Sequence, residues 1–163
     1  MKKPILFIML FVFAFTYNGC KEDEEKQYNT LEITSGEFNG FSYAFDPNTG
    51  FWSPVNETIR QVHLVLGGTE NVPADYENKM SILFYYSGQQ TIDFPSNEGQ
   101  WVIFGLWIEG IFYYFQEEDA VLTIDRLDDN LFEGRLSGEF TDSGNSSRTI
   151  SFTMDIRVNL QQI

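Results

Sequence analysis

The sequence from Tyr28 onward predicts an all-β domain, a single antiparallel β-sandwich or a closed β-barrel, and three observations carry that reading. Apolar and polar residues alternate, most clearly at the C-terminus. There Ile150, Phe152, Met154, Ile156, Val158 and Leu160 share one face, and Thr149, Ser151, Thr153, Asp155, Arg157 and Asn159 share the other. A two-residue period is the signature of a strand with one buried and one wet face. Turn residues recur at short intervals: Asp46-Pro47-Asn48-Thr49-Gly50, Gly67-Gly68, Ser87-Gly88, Ser96-Asn97-Glu98-Gly99, Asp128-Asp129-Asn130 and Ser143-Gly144-Asn145. Helical periodicity is nearly absent. Strands at this spacing predict about nine strands in a sandwich or barrel.

The chain begins differently. Lys2 and Lys3 precede an unbroken apolar run from Ile5 to Phe15. A bilayer span takes roughly 20 residues, and this run is shorter, with the proportions of a secretory signal. Thr16-Tyr17-Asn18-Gly19-Cys20 follows, and Cys20 is the only cysteine of the 163 residues, so it has no disulfide partner within the chain. The segment Lys21-Glu22-Asp23-Glu24-Glu25-Lys26-Gln27 holds no apolar residue and reads as a solvated tether. Three regions result: a leader at 1–19, an anchor residue and tether at 20–27, and one β domain at 28–163.

Within the domain, Phe41, Tyr43 and Phe45 alternate, as do Val62, Leu64 and Leu66. Asn71 to Asn78, with Pro73 and Asp75, reads as a loop or one short helical turn. Trp101–Ile108 and Ile111–Glu118 flank Glu109-Gly110, and a two-residue turn sets the register. Ile108 then opposes Ile111, Leu106 opposes Tyr113 and Phe104 opposes Phe115, on a face expected to be core. The second face opposes Trp107 to Phe112, Gly105 to Tyr114 and Ile103 to Gln116. Gly105 is expected beneath the ring of Tyr114. Glu109-Gly110 interrupts the apolar stretch and argues against a membrane span. A second hairpin runs Val121–Leu127, turns at Asp128-Asp129-Asn130 and returns as Leu131–Phe140. Gly134 and Gly138 lie between Phe132, Leu136 and Phe140, leaving room for large neighbours or marking bulges.

Two stretches resemble a known group. Gly19-Cys20 after the apolar run resembles the lipobox of bacterial lipoproteins, with Tyr17 and Asn18 differing from the usual aliphatic and small residues. The acidic run after Cys20 resembles the surface-export signal of bacteroidete lipoproteins. Phe132-Glu133-Gly134-Arg135-Leu136-Ser137-Gly138-Glu139-Phe140, followed by the long last strand, is similar to the C-terminal part of small bacteroidete lipoproteins with a calycin-like or sandwich β domain. The resemblance implies acylation at Cys20 and a lipid anchor in the outer membrane, facing the cell surface or else the periplasm. It implies a calycin-like barrel or sandwich, and no chemistry. An anchor of more than one chain holds stably.

Composition sets the functional bounds. The chain carries 24 acids against 10 bases, for a formal net charge of −14, and 17% of its residues are aromatic. So aromatic a chain is not disordered, and so acidic a chain offers no basic stripe for nucleic acid. The leader accounts for Lys2 and Lys3 and for Phe7, Phe11, Phe13, Phe15 and Tyr17.

Catalytic motifs are wanting. No G-x-S-x-G, P-loop or dinucleotide fingerprint occurs. Ser35, Ser87 and Ser137 each precede a glycine and read as turn or strand-edge residues. The single histidine, His63, sits between Val62 and Leu64 on the face with Gln61 and Val65, and reads as a strand histidine, since zinc sites draw chiefly on several Cys and His. Glu117, Glu118, Asp119, Asp125, Asp128 and Asp129 would have to pair in a cleft to hydrolyse a glycoside, yet they fall at strand ends and turns. Asp46, Asn48 and Thr49, or Asp128 and Asp129, offer oxygen ligands for calcium without a full binding loop. No enzyme, metal or cofactor is expected.

The remaining lead is aromatic. Trp101, Trp107, Phe112 and Tyr114 lie along one face of the first hairpin, with Phe51 and Trp52 near Pro54 as additions. Aromatics left exposed on a sheet grip sugars and partner proteins, whereas a buried face would be the wall of a second layer. The expectation is a non-catalytic, membrane-anchored envelope lipoprotein that binds a partner protein or glycan. The alternatives are a calycin-like carrier of a small apolar ligand and a structural subunit of an envelope assembly.

Overall fold

A computed structural model describes residues 27–46, 50–67, 77–96 and 99–163. The leader, Cys20 and nearly all of the tether lie outside the described residues. So do Pro47-Asn48-Thr49, Gly68 and the loop at 71–76.

The described residues form ten strands and no helix: β1 (Thr30–Ile33), β2 (Ser42–Ala44), β3 (Gly50–Pro54), β4 (Arg60–Leu66), β5 (Lys79–Tyr86), β6 (Thr91–Phe94), β7 (Trp101–Ile108), β8 (Ile111–Leu127), β9 (Leu131–Asp142) and β10 (Asn145–Gln162). The fold is all-β, as the alternation requires. Its pairings run β3–β4–β5–β7–β8–β9–β10 and return to β3, a closed circuit of barrel type. β1 and β2 flank β10, and β6 flanks β8. All of these pairings are antiparallel except the one that closes the circuit. β10 meets β3 in parallel, Leu160 opposite Gly50 and Gln162 opposite Trp52.

Two long strands make closure possible. β9 takes one edge of β10 from Thr149 to Asn159, leaving the other edge to β1 and then β3. β8 is one strand of 17 residues where two were expected, broken near Glu118. It serves β7 with its first half, β6 with its second, and β9 along its far edge. Such a strand must bend. The register of β8 on β9 shifts between Glu117 and Asp119 and again between Ile124 and Arg126. Gly138 and Gly134 lie opposite Ala120 and Ile124 at these two places. A Cβ on Gly138 would stand 2.3 Å from the Asp119 carbonyl oxygen, and one on Gly134 would stand 2.4 Å from that of Thr123. The two glycines therefore mark bulges that turn β8 around the barrel.

The interior is filled. Val62, Leu64 and Leu66, and the alternating residues from Ile150 to Leu160, all lie inside. Phe104 stacks on Phe115 with centroids 5.1 Å apart and meets Phe140 and Phe152 edge-on, while Phe140 stacks on Phe152 at 4.5 Å. Offset and edge-to-face rings pack densely and add about 0.5–1.5 kcal/mol per pair beyond their burial. At one end Phe38 covers Tyr113, centroids 4.7 Å apart, and Arg148 lies over both rings. At the other, the Trp52 indole N–H donates to the Asp129 carbonyl at 3.1 Å, tying β3 to the β8–β9 turn.

Candidate functional site: the outer face of the barrel

The first hairpin has the register its two-residue turn implies, from Ile108 opposite Ile111 to Ile103 opposite Gln116. Phe104, Leu106, Ile108 and Phe115 are buried in the core. Ile111 departs from the expected core face. It ends the ladder beside the turn and is 57% exposed.

The opposite face points outward and continues across neighbouring strands. Phe51, His63, Leu83 and Trp101 stand directly opposite one another on β3, β4, β5 and β7. All four are half-buried. His63 and Trp101 meet edge-on across Leu83, ring centroids 5.6 Å apart. Strands lie about 4.8 Å apart, so this row spans roughly 14 Å of surface. The next row holds Val65, Ser81 and Ile103, and the one after it Lys79, Gly105 and Tyr114. Val65, Ser81 and Lys79 are buried, and the Lys79 ammonium stands 3.5 Å from the Glu77 carboxylate. Beyond them the face opens again at the hairpin tip, where Trp107, 43% exposed, contacts Phe112 with centroids 5.6 Å apart.

The aromatic face is thus divided. Trp101 and Trp107 are six residues apart on β7, roughly 20 Å at strand rise, with a buried stretch beside them on β4 and β5. Phe112 and Tyr114 belong with Trp107. The ring over Gly105 is that of Phe112 and not that of its direct partner Tyr114: a Cβ on Gly105 would lie 2.3 Å from Phe112 Cζ. Trp52 belongs to neither region. It opposes Val62, faces the core and is 8% exposed, its ring covered by the Arg60 guanidinium at 4.4 Å. The strand period explains the outcome: if Phe51 faces outward, Trp52 must face inward.

Beside the Phe51–Trp101 row lies a depression of about 420 Å³, lined by Phe51, Ser53, Gln61, His63, Leu83 and Ile163 and by part of Trp52. His63 Nε2 is 2.6 Å from Ser81 Oγ. Burial holds the His63 pKa below the ordinary imidazole value, because desolvation disfavours the cation. The Gln61 amide donates to the Tyr85 hydroxyl at 3.1 Å. Ser81 is 1% exposed, so its hydroxyl lies beneath the surface at which His63 stands. Phe51 was legible as an accessory aromatic. Ser53, Gln61, Leu83 and Ile163 were not singled out. The signal for Leu83 is that β5, Lys-Met-Ser-Ile-Leu-Phe-Tyr-Tyr, is apolar on both faces at its centre.

Glu117 lies on the second strand of the first hairpin. Its carboxylate accepts from the Val102 N–H at 3.0 Å, yet burial raises its pKa above the usual carboxylate value. Burial, with the nearby Glu117 charge second, also raises the Tyr114 phenol.

A second, more polar depression of about 740 Å³ lies at the barrel end between Arg60, Tyr86, Arg126 and the β8–β9 turn. Two ion pairs line it, Arg60 with Asp129 at 2.8 Å and Arg126 with Asp128 at 2.6 Å, together with Glu57. One Asp128 oxygen accepts the N–H groups of Asn130 and Leu131. The Asn130 N–H, then Arg126, and last the Leu131 N–H hold its pKa below the ordinary carboxylate value. The Asp128 carboxylate serves the turn. No group of three or more His, Cys, Asp or Glu able to hold a metal occurs among the described residues. The Asp46 turn lies largely outside them.

No protein-family model matches the chain, and no curated protein and no solved structure matches it either.

Proposed function

We propose that the chain is a non-catalytic envelope lipoprotein, anchored through acylated Cys20, whose outer barrel face binds a glycan or a partner protein through aromatic side chains. One observation carries the binding reading. A barrel with a fully packed interior leaves aromatic rings half-exposed on its outside, as the Phe51–His63–Leu83–Trp101 row and the Trp107–Phe112 pair. Burying those rings would be cheaper than exposing them unless something covers them in use. The same packing weighs against a carrier of a small apolar ligand, because phenylalanine rings occupy the space such a ligand would need. The leader, the position of Cys20 and the acidic tether support the anchor and an outer-membrane, surface-facing location.

The test is tryptophan fluorescence of the full chain titrated with a panel of purified envelope polysaccharides and outer-membrane proteins. Binding is expected to shift the emission, and the shift to be lost in Trp101→Ala or Trp107→Ala. A flat response across the panel would favour a structural subunit instead.

A further inference from the structure

We infer that the depression beside the Phe51–Trp101 row is a subsite for an uncharged sugar ring within a neutral oligosaccharide. This rests on the proposed binding role of the outer face and names the ligand class for one part of it.

Three features of the depression point there. Its lining holds no charged-type side chain: none of its seven residues is Asp, Glu, Lys or Arg. In a chain of net charge −14 that is a local exception, and it gives an anionic sugar no cation to pair with while the protein's overall field repels it. The lining side chains are of two kinds. Phe51 and Leu83 present apolar surface of the sort that the C–H face of a pyranose covers. His63 stands between them in the row, and Ser53 and Gln61 face each other two positions along, offering an imidazole, a hydroxyl and an amide, the side chains that exchange hydrogen bonds with sugar hydroxyls. His63 Nε2 is already engaged with Ser81 at 2.6 Å, which sets the orientation of the ring.

The backbone decides between a sugar and an extended peptide. β3 is paired to β10 on one edge and to β4 on the other, and β4 is paired to β5. A peptide that binds by strand addition needs a free edge, and β3 from Gly50 to Trp52, β4 and β5 have both edges taken. Recognition there must go through side chains, which suits a sugar ring. A volume of about 420 Å³ accommodates one or two sugar rings and not a folded partner.

The experiment is an amide and indole NMR titration of the full chain with four probes: maltohexaose, cellohexaose, mannohexaose and an acidic hexamer of galacturonate. The expected result is that at least one neutral hexamer shifts the resonances of Phe51, His63, Leu83 and the Trp101 indole, and that the acidic hexamer shifts them at least tenfold more weakly. Phe51→Ala is expected to weaken binding about tenfold by removing the stacking surface. Gln61→Ala, a milder change in the next row, is expected to weaken it about fivefold, and each variant's native peak dispersion checks its fold. Equal or stronger binding of the acidic hexamer would overturn the inference, as would silence of these resonances with all three neutral hexamers. Shifts confined to Trp107 and Phe112 would overturn it while leaving the outer face a binding surface. If neither this titration nor the panel of envelope components moves any outer-face resonance, the binding role fails with it.

Discussion

The ring of Phe112 lies over the backbone of Gly105, so close that a Cβ there would stand 2.3 Å from Cζ and 2.9 Å from Cε2. Phe112 is diagonal to Gly105 in the ladder, and its ring crosses to cover the gap that the glycine leaves. The same ring contacts Trp107. Gly105→Ala is therefore expected to push Phe112 aside and cost about 1–3 kcal/mol by overpacking. Urea denaturation would measure the loss, and near-ultraviolet circular dichroism would show the altered Trp107 surroundings. Phe112→Ala should give a similar spectral change, and a double variant should lose less than the sum of the two.

Arg148 holds the end of the barrel covered by Phe38. It donates to Asp142 at 2.6 Å and to Glu37 at 2.8 Å and lies 4.8 Å from the Tyr113 ring centroid. The Asp142 side chain is 6% exposed and that of Glu37 60%. Arg148→Ala leaves a buried carboxylate short of its cation and is expected to destabilise the fold more than the loss of an exposed partner does. Glu37→Ala removes only an exposed partner and is expected to cost about 1 kcal/mol or less. Equal losses in chemical denaturation would contradict the division of roles.

His63 links the depression to acid stability. Burial lowers its folded pKa, so the unfolded chain takes up a proton first as pH falls. Its contribution is intact above the ordinary imidazole pKa of about 6.5 and is lost as pH falls from there toward the folded value. His63→Gln is expected to flatten this part of the pH–stability curve, as followed by thermal melting between neutral and mildly acidic pH.

Glu117 acts in the opposite sense. Its folded pKa is raised by burial, so the folded chain keeps a proton that the unfolded chain releases. Stability from this group falls as pH rises from the ordinary carboxylate pKa, about 4.3, to the raised folded value, and stays lower above it. Glu117→Gln keeps an oxygen to accept from Val102 and is expected to be at least as stable as the parent at neutral pH. A loss of stability there would show that the charge itself is needed.

Acylation at Cys20 is tested by fractionation. Cys20→Ala is expected to move the protein from the membrane to the soluble fraction and to abolish labelling with a palmitate analogue. Unchanged membrane association would remove the anchor from the proposal.

How much of this was legible varied with the length scale of the cause. The β10 alternation and the register of the first hairpin follow from the period of a strand and the size of one turn, both local, and both were read residue by residue. Gly134 and Gly138 were legible as bulge markers, but the bend they serve was not, because it depends on β8 continuing past Glu118 to pair with β6 and β9. Whether Trp52 or Phe51 faces outward depends on which side of β3 meets the core, which sequence adjacency does not reveal. The His63–Ser81 pair and the Arg148–Asp142–Glu37 cluster join different strands or loops, and tertiary pairing alone brings them together.

The single parallel pairing has a consequence for time as well as shape. Closure joins Gly50 to Leu160, partners about 110 positions apart, so the contact that completes the barrel is among the most non-local in the chain. Proteins dominated by such contacts fold in milliseconds to seconds, because the entropy of drawing distant segments together is lost before the contact rewards it. Until residues 160–162 dock, the edge of β3 stands unpaired, an open template for another chain's strand. The docking of residues 160–162 is therefore also the step that hides this edge, and slowing it would show as aggregation during refolding.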